Sequence, residues 1–261
     1  LFAAHGVAAV DEVTSRREAR AMVLRDVHRA VQLHGQHFRG RTWGHVLRVA
    51  ELATRSSPEN AATAFRTVEL VQHSSITLLG RSALTAFIAC VGSFISHSAG
   101  HAEGGGRLSV NLSAVQLTWA LADYFVSQQQ RHAPTTNTAA ATSSSANGGR
   151  SGGSGRSGSV VVQWNSLLHQ LRDGGADARP EVCHSSLKTL FPLVITHGLA
   201  VPPECWATVL WDVMVFTLNR LEAQAAAAAA HSALDVQPHS GAERFSVTWP
   251  TSFSATAASW R

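Results

Sequence analysis

Apolar residues recur along this chain at intervals of three and four and scarcely ever at two, so the pattern predicts helices joined by short turns and no sheet. Ser15-x-x-Glu18 reads as a capping box, after which Met22, Val23, Val27, Ala30 and Val31 share one face until Gly35 offers a stop. A second stripe follows at Trp43, Val46, Leu47 and Ala50. Ser57-Pro58 supplies an N-cap and a proline at the first helical position, opening a third helix with Ala61, Phe65, Val68 and Val71. The fourth expected helix runs from about Arg81 to His97 through Leu84, Phe87, Ile88, Val91 and Phe94. The fifth starts near Ser109 and carries Leu112, Val115, Trp119 and Phe125 in a stripe broad enough for two neighbours.

Residues 133–159 break this rhythm. They contain no acid, no aromatic and no aliphatic larger than alanine, so they are expected to form a disordered insertion. Beyond them Trp164, Leu167, Leu168 and Leu171 mark a short sixth helix. Pro180 begins a seventh, through Val182, Leu187, Leu190, Phe191 and Val194 to Gly198, with an expected kink at Pro192. Pro203 opens an eighth with Trp206, Val209, Leu210, Val213, Phe216 and Leu221, which the alanine run 225–230 prolongs by propensity alone. Trp119, Trp164, Trp206 and Trp211 each fall in an apolar stripe and are expected in the core. The organisation is then a helical-repeat block 1–132, a low-complexity linker 133–159, a second helical-repeat block 160–224, and an Ala-rich extension with a poorly defined tail, 225–261. The expected fold class is all-α, an armadillo/HEAT-like α-solenoid of antiparallel helix pairs; it rests on the helix pattern, because no fixed internal repeat recurs.

Composition narrows the picture. Charged residues are only 15% and hydrophobic ones 45%, which fits neither a globally disordered chain nor a coiled coil. The net charge of +4 invites a nucleic-acid reading, but Arg150 and Arg156 of the linker account for half of it. The nine arginines before residue 60 are interleaved with six acids, as in Arg16, Arg17, Glu18, Arg20, Arg25, Asp26 and Arg29, the pattern of a solvated helix face. No nucleic acid is expected as a partner. The longest apolar run, residues 82–95, falls short of the ~20 residues a membrane-spanning helix needs, and no signal-peptide pattern precedes it. Cys90, Cys183 and Cys205 lie far apart without a C-x-x-C, which suits a reducing compartment and makes the cytosol the expected location.

Little of the chain looks like chemistry. Residues 149–153 fit G-x-S-x-G and residues 153–158 fit G-x-G-x-x-G, but both lie in the Gly/Ser-rich linker without the strand and helix such motifs require. Asn111-Leu112-Ser113 is a formal glycosylation sequon inside an expected helix and should stay unmodified. His28 and His34 do not share a helix face, and no Cys or carboxylate joins them and His37 into a metal set. The acids Asp123, Asp173, Asp177, Glu181 and Asp212 fall at helix ends or on polar faces, and no Ser, His and Asp set stands out. The expectation is a non-enzyme with no catalytic residue, no cofactor and no metal.

Two segments carry a resemblance. The run Asn111-Leu-Ser-Ala-Val-Gln-Leu-Thr-Trp119-Ala-Leu-Ala-Asp123-Tyr124-Phe125 is similar to a helix of the Mon-two family, the Golgi and endosome scaffolds related to the large Sec-seven Arf exchange factors. More specific is the series Trp164-x-x-Leu167-x-x-x-Leu171, Asp177-x-Arg179-Pro180-x-Val182-x-x-Ser185, Thr189-Leu190-Phe191 and His197-Gly198, continued by Trp206 and by Leu210-Trp211-Asp212-Val213 with Phe216. It keeps the order and spacing of that family's elements. Cys183 and His184 replace the basic pair usual after the valine, and Pro192 falls where the T-L-F helix should run on. Within these motifs Asp177 can cap the helix that Pro180 opens, Arg179 can reach a carboxylate or carbonyl at the neighbouring turn, and His197-Gly198 suits a helix C-terminus. The resemblance implies a non-catalytic scaffold, peripheral on trans-Golgi network and endosome membranes, serving endosome-to-Golgi retrograde sorting. The partners it implies are a Dopey-type protein, an Arf or Arf-like small GTPase, a phospholipid flippase and the membrane surface itself, with self-association left open. The alternative is the regulatory helical-repeat region of a Sec-seven-type Arf guanine-nucleotide exchange factor.

Overall fold

Each apolar stripe becomes a helix in the computed structural model, which describes residues 2–96, 105–132 and 154–235. The helices are α1 (Phe2–His34), α2 (Gly40–Ala53), α3 (Pro58–Leu70), α4 (Arg81–Ser96), α5 (Gly105–His132), α6 (Ser154–Gly175), α7 (Pro180–His197) and α8 (Phe216–Asp235). Short π-helical segments follow α3 at Val71–Ser75 and precede α8 at Thr208–Val215. No strand occurs among the described residues.

The local signals explain most boundaries. Ser57 is the N-cap of α3, its side chain accepting the Asn60 amide at 3.4 Å, with Pro58 in the first turn. In α2 the buried residues Trp43, Leu47, Ala50 and Ala53 step by three and four along one face. Three expectations change. Helix α1 starts at Phe2, because Ala3, Ala4, Ala8 and Ala9 are strong helix formers, so Ser15 and Glu18 lie exposed inside a helix and cap nothing. Its core face is Leu24 and Val31, while Met22 and Val23 stay more than half exposed. The backbone of 154–159 belongs to α6 and not to the linker. Helix α7 runs from Pro180 to His197 with Pro192 inside it, as expected, the proline on the exposed side. The rest of the linker, 133–153, the tail from 236 on, and His97 lie outside the described residues.

Packing follows the order of the chain. Helices α1, α3, α5 and α7 pack in succession as one layer; α2, α4, α6 and the Thr208–Val215 segment form the other. The pairs α2 with α3, α4 with α5 and α6 with α7 join the two layers. Helices that meet only their near neighbours in sequence, two deep, make an all-α solenoid. These elements lie in one unit, Leu1–Leu221; a second, Glu222–Arg261, contains the Ala-rich end of α8.

Helix α4 explains its own position. It buries Ala83, Leu84, Phe87, Ile88, Cys90, Val91, Phe94 and Ile95, too many for one face, so it sits between α2, α5 and α6. Two glycines let the backbones close in. A Cβ on Gly92 would run into the Gln170 side chain of α6, and one on Gly174 would lie 2.4 Å from Ser186 Oγ and 2.7 Å from Ile95 Cγ2. Trp164, Leu167, Leu168 and Leu171 of α6 are completely buried, and Trp164 meets Phe125 edge to face at 5.5 Å. Each such side chain stabilises the fold by roughly 1.5–3 kcal/mol of apolar burial.

Candidate functional site

The D-x-R-P segment turns out to be a strut. Helix α6 ends at Gly175 and α7 begins at Pro180, so Asp177 and Arg179 stand in the turn between them. Arg179 donates from Nε to Asp177 Oδ1 at 2.8 Å and from Nη2 to Oδ2 at 2.9 Å, a two-pronged ion pair. Its backbone amide donates to the same Oδ1 at 2.9 Å. Arg179 is itself the N-cap of α7, so Asp177 holds the cap residue rather than capping the first-turn amides as expected. The guanidinium then reaches outward: Nη1 donates to Asn111 Oδ1 on α5 at 2.8 Å and Nη2 to the Ile95 carbonyl of α4 at 3.3 Å. Asn111 Nδ2 donates to the Phe94 and Ile95 carbonyls. The last turn of a helix leaves its carbonyls without partners, and at α4 these two side chains take up those of Phe94 and Ile95. Burial pushes the Asp177 carboxyl up, but the Arg179 hydrogen bonds and charge outweigh it and hold the group below its ordinary value. The same carboxylate raises Arg179 above its ordinary value.

The sequence marked Asn111 as a sequon and as the start of the family-like run, not as a strut. It is buried and its amide is spent on α4 and Arg179, so it cannot meet a glycosyl transferase in the folded chain. Its true signal was a polar residue at the spacing of the buried face of α5, ahead of Ala114, Val115, Thr118, Leu121 and Phe125.

A second contact joins α5 to α7 at the other end of the motif. Trp119 and Asp123 lie one turn apart on α5 and both meet His197 in the last turn of α7. The Trp119 and His197 rings are 5.3 Å apart, and His197 Nε2 lies 3.1 Å from Asp123 Oδ1 without the alignment of a hydrogen bond. Asp123 is half exposed and His197 mostly covered. Helix α7 ends at His197, as expected, but Gly198 keeps a right-handed φ of −54°, so no left-handed residue ends it. The Trp206 ring packs beside Gly198, 3.5 Å from where a Cβ would stand.

The remaining motif residues divide between core and surface. Pro180 takes the first turn of α7, and Val182 and Leu190 are fully buried. Thr189 Oγ1 donates back to the Ser185 carbonyl at 2.9 Å, and Phe191 is half-buried. Trp211 contradicts the expectation of a core position: it is 68% exposed, and Leu210 and Phe216 are about half exposed. Trp211 stands two residues from both Val209 and Val213, about 200° round an α-helix and little less in the wider π-helical turns of Thr208–Val215, so a helix that buries those two turns it outward. The buried set becomes Cys205, Val209, Val213 and Thr217, every fourth residue, and Trp211 falls on the opposite side. Arg172 covers the Phe216 ring instead, 4.8 Å above its centre.

Chemically these groups are occupied with one another. Among the described residues no three His, Cys, Asp or Glu side chains gather as metal ligands. His28 meets Thr67 Oγ1 at 3.1 Å, tying α1 to α3, while His37 meets Gln36. Burial pushes all three thiols up, Cys205 to about 11, away from the thiolate form that reacts. No described helix is long and apolar enough to cross a membrane.

A two-layer stack in which each helix meets its near neighbours in sequence, tied here by polar side chains, defines an α-helical solenoid domain. Its lineage follows from comparison. The family model described as the C-terminal region of Mon2 protein matches residues 82–242, more than half of the chain, and the chain belongs to that family. It is similar to a protein MON2 homolog of Drosophila melanogaster, 24% identical over 166 residues, and to one of Homo sapiens, 24% identical over 163 residues. These alignments cover 64% and 61% of this chain, and the chain spans 9% of each relative. Monensin-resistant homolog 2 of Caenorhabditis elegans is 22% identical over 135 residues, 52% of the chain and 7% of that protein. No solved structure matches.

Proposed function

We propose that this chain is part of a non-catalytic scaffold, peripheral on trans-Golgi network and endosome membranes, that acts through protein–protein contacts in endosome-to-Golgi retrograde sorting. The observation that carries this reading is the Mon2 family match over 82–242, joined to the use of that region's polar motif residues as ties between helices. A solenoid of this kind supplies extended surface for partners, and the partners proposed are a Dopey-type protein, an Arf or Arf-like small GTPase and a phospholipid flippase.

The test is affinity capture of the full-length tagged protein from its own cells, followed by mass spectrometry and by imaging against trans-Golgi and endosome markers. Recovery of a Dopey-type protein with a flippase, on those membranes, is the expected result. Arf recovered without them would refute the Dopey and flippase part of the reading, and a diffuse protein recovering none of the three would refute the whole.

A further inference from the structure

Ser159 is the only serine in the chain with an arginine three residues before it, in the run Arg156-Ser157-Gly158-Ser159-Val160. Basophilic serine/threonine kinases select their target by ion-pairing an arginine at that place. They take the substrate in extended form, so a site within a helix must first unwind. The start of α6 is built to do so. Gly155 and Gly158 weaken its first turns. Ser159, Val160 and Val161 are half-buried, Val162 is 54% exposed, and cover begins only at Gln163 and Trp164. Thr42 is the only other serine or threonine with an arginine so placed, Arg39. It sits in the first turn of α2 beside the fully buried Trp43, which unwinding would pull from the core.

Ser159 also lines a cavity of about 740 Å³ bounded by α4, α5, α6 and the Pro203–Cys205 turn, and described helices precede and follow all four. Arg81, the first residue of α4, shares that lining with Tyr124 and Gln163, and Glu204 is the one carboxylate in it. Gln163 Nε2 already donates to Ser159 Oγ at 3.5 Å. We propose that Ser159 is a phosphorylation site, and that its phosphate turns into this cavity to Arg81 and fastens the start of α6 to the start of α4. A kinase of the class above transfers the γ-phosphoryl of ATP. The P–Oγ bond forms, the bond from the γ phosphorus to the β–γ bridging oxygen breaks with its electrons leaving on ADP, and the hydroxyl proton passes to the kinase's catalytic aspartate. The product carries about −1.5 to −2 of charge and three acceptor oxygens, to which the exposed Arg81 presents its planar fork. Glu204 opposes the phosphate, so removing its charge and removing that of Arg81 have opposite effects.

The test treats the folded 261-residue chain with a purified basophilic serine/threonine kinase and Mg-ATP. Peptide mass spectrometry maps the phosphate, and backbone hydrogen exchange over 154–163 is compared before and after modification. Phosphate is expected on Ser159 and not on Thr42, absent in Ser159→Ala and cut about tenfold or more in Arg156→Ala. Exchange over 154–163 should slow about tenfold in the modified chain. Arg81→Gln should abolish that slowing and leave phosphate uptake unchanged, while Glu204→Gln should enlarge it. Arg81 and Glu204 are exposed, circular dichroism checks that each variant is folded, and each is compared with its own unmodified form. No phosphate, phosphate chiefly on Thr42 or on the serines of 143–157, or uptake that survives Arg156→Ala would overturn the site. No slowing, or one that survives Arg81→Gln, would overturn the docking.

Discussion

Replacing Arg179 by alanine tests whether the turn between α6 and α7 ties the stack together. The substitution removes four hydrogen bonds that the guanidinium donates: two to Asp177, one to Asn111 Oδ1 and one to the Ile95 carbonyl. The Asp177 carboxylate is only 8% exposed and would lose its counter-charge. Leaving a buried polar group unsatisfied costs about 1–3 kcal/mol, and breaking a fully buried ion pair about 3–5. Arg179 is 26% exposed, so water takes up part of the loss, and about 2–4 kcal/mol remains. In a unit of this size that lowers the melting temperature by very roughly 4–16 °C. Urea unfolding of the 261-residue chain, followed by circular dichroism, measures it for Arg179→Ala, Asp177→Ala and the double variant. The two single effects should fail to add, with a coupling of about 1–3 kcal/mol, because each leaves the other partner stranded. Arg179→Lys keeps the charge but not the fork, so it should fall between. A loss under about 0.5 kcal/mol, or strictly additive effects, would show that the strut carries no stability.

Other consequences can be measured on the same chain. Because Asp177 is held below its ordinary value, its contribution is complete at neutral pH and is lost as acid takes the pH below that ordinary value, about 3.9, and through the folded one; denaturation midpoints should fall there, and less steeply in Arg179→Ala. Gly174→Ala should destabilise by about 1–3 kcal/mol in spite of alanine's better helix propensity, since the methyl would press on Ser186 and Ile95. Trp164→Ala should cost about 3–5 kcal/mol and Trp211→Ala no more than about 0.5, a contrast two urea curves would reveal or deny. Iodoacetamide at neutral pH should leave Cys90 and Cys205 unmodified until urea unfolds the chain, read by peptide mass spectrometry.

The sequence by itself determined the helices and the family. Apolar spacing located all eight helices of the described residues, and where a local signal stood alone, as at Ser57-Pro58 and Pro180, the boundaries came out close to those observed. Local signals misled where a neighbouring stretch outweighed them: the Ser15 and Glu18 pair looks like a helix start only if the alanines before it are ignored, and the Gly/Ser-rich linker ends six residues early because helix continues into it.

Tertiary structure decided everything that depends on distance between helices. That Arg179 would bridge α4 and α5 as well as Asp177 was not readable, because Asn111 and Ile95 lie 68 and 84 residues away. Which face of Thr208–Val215 is buried was decided by its packing on α6, which covers Val209 and Val213 and leaves Trp211 opposite them. Periodicity is local and says that a residue belongs to a stripe; which stripe finds a partner is set by how the two layers stack.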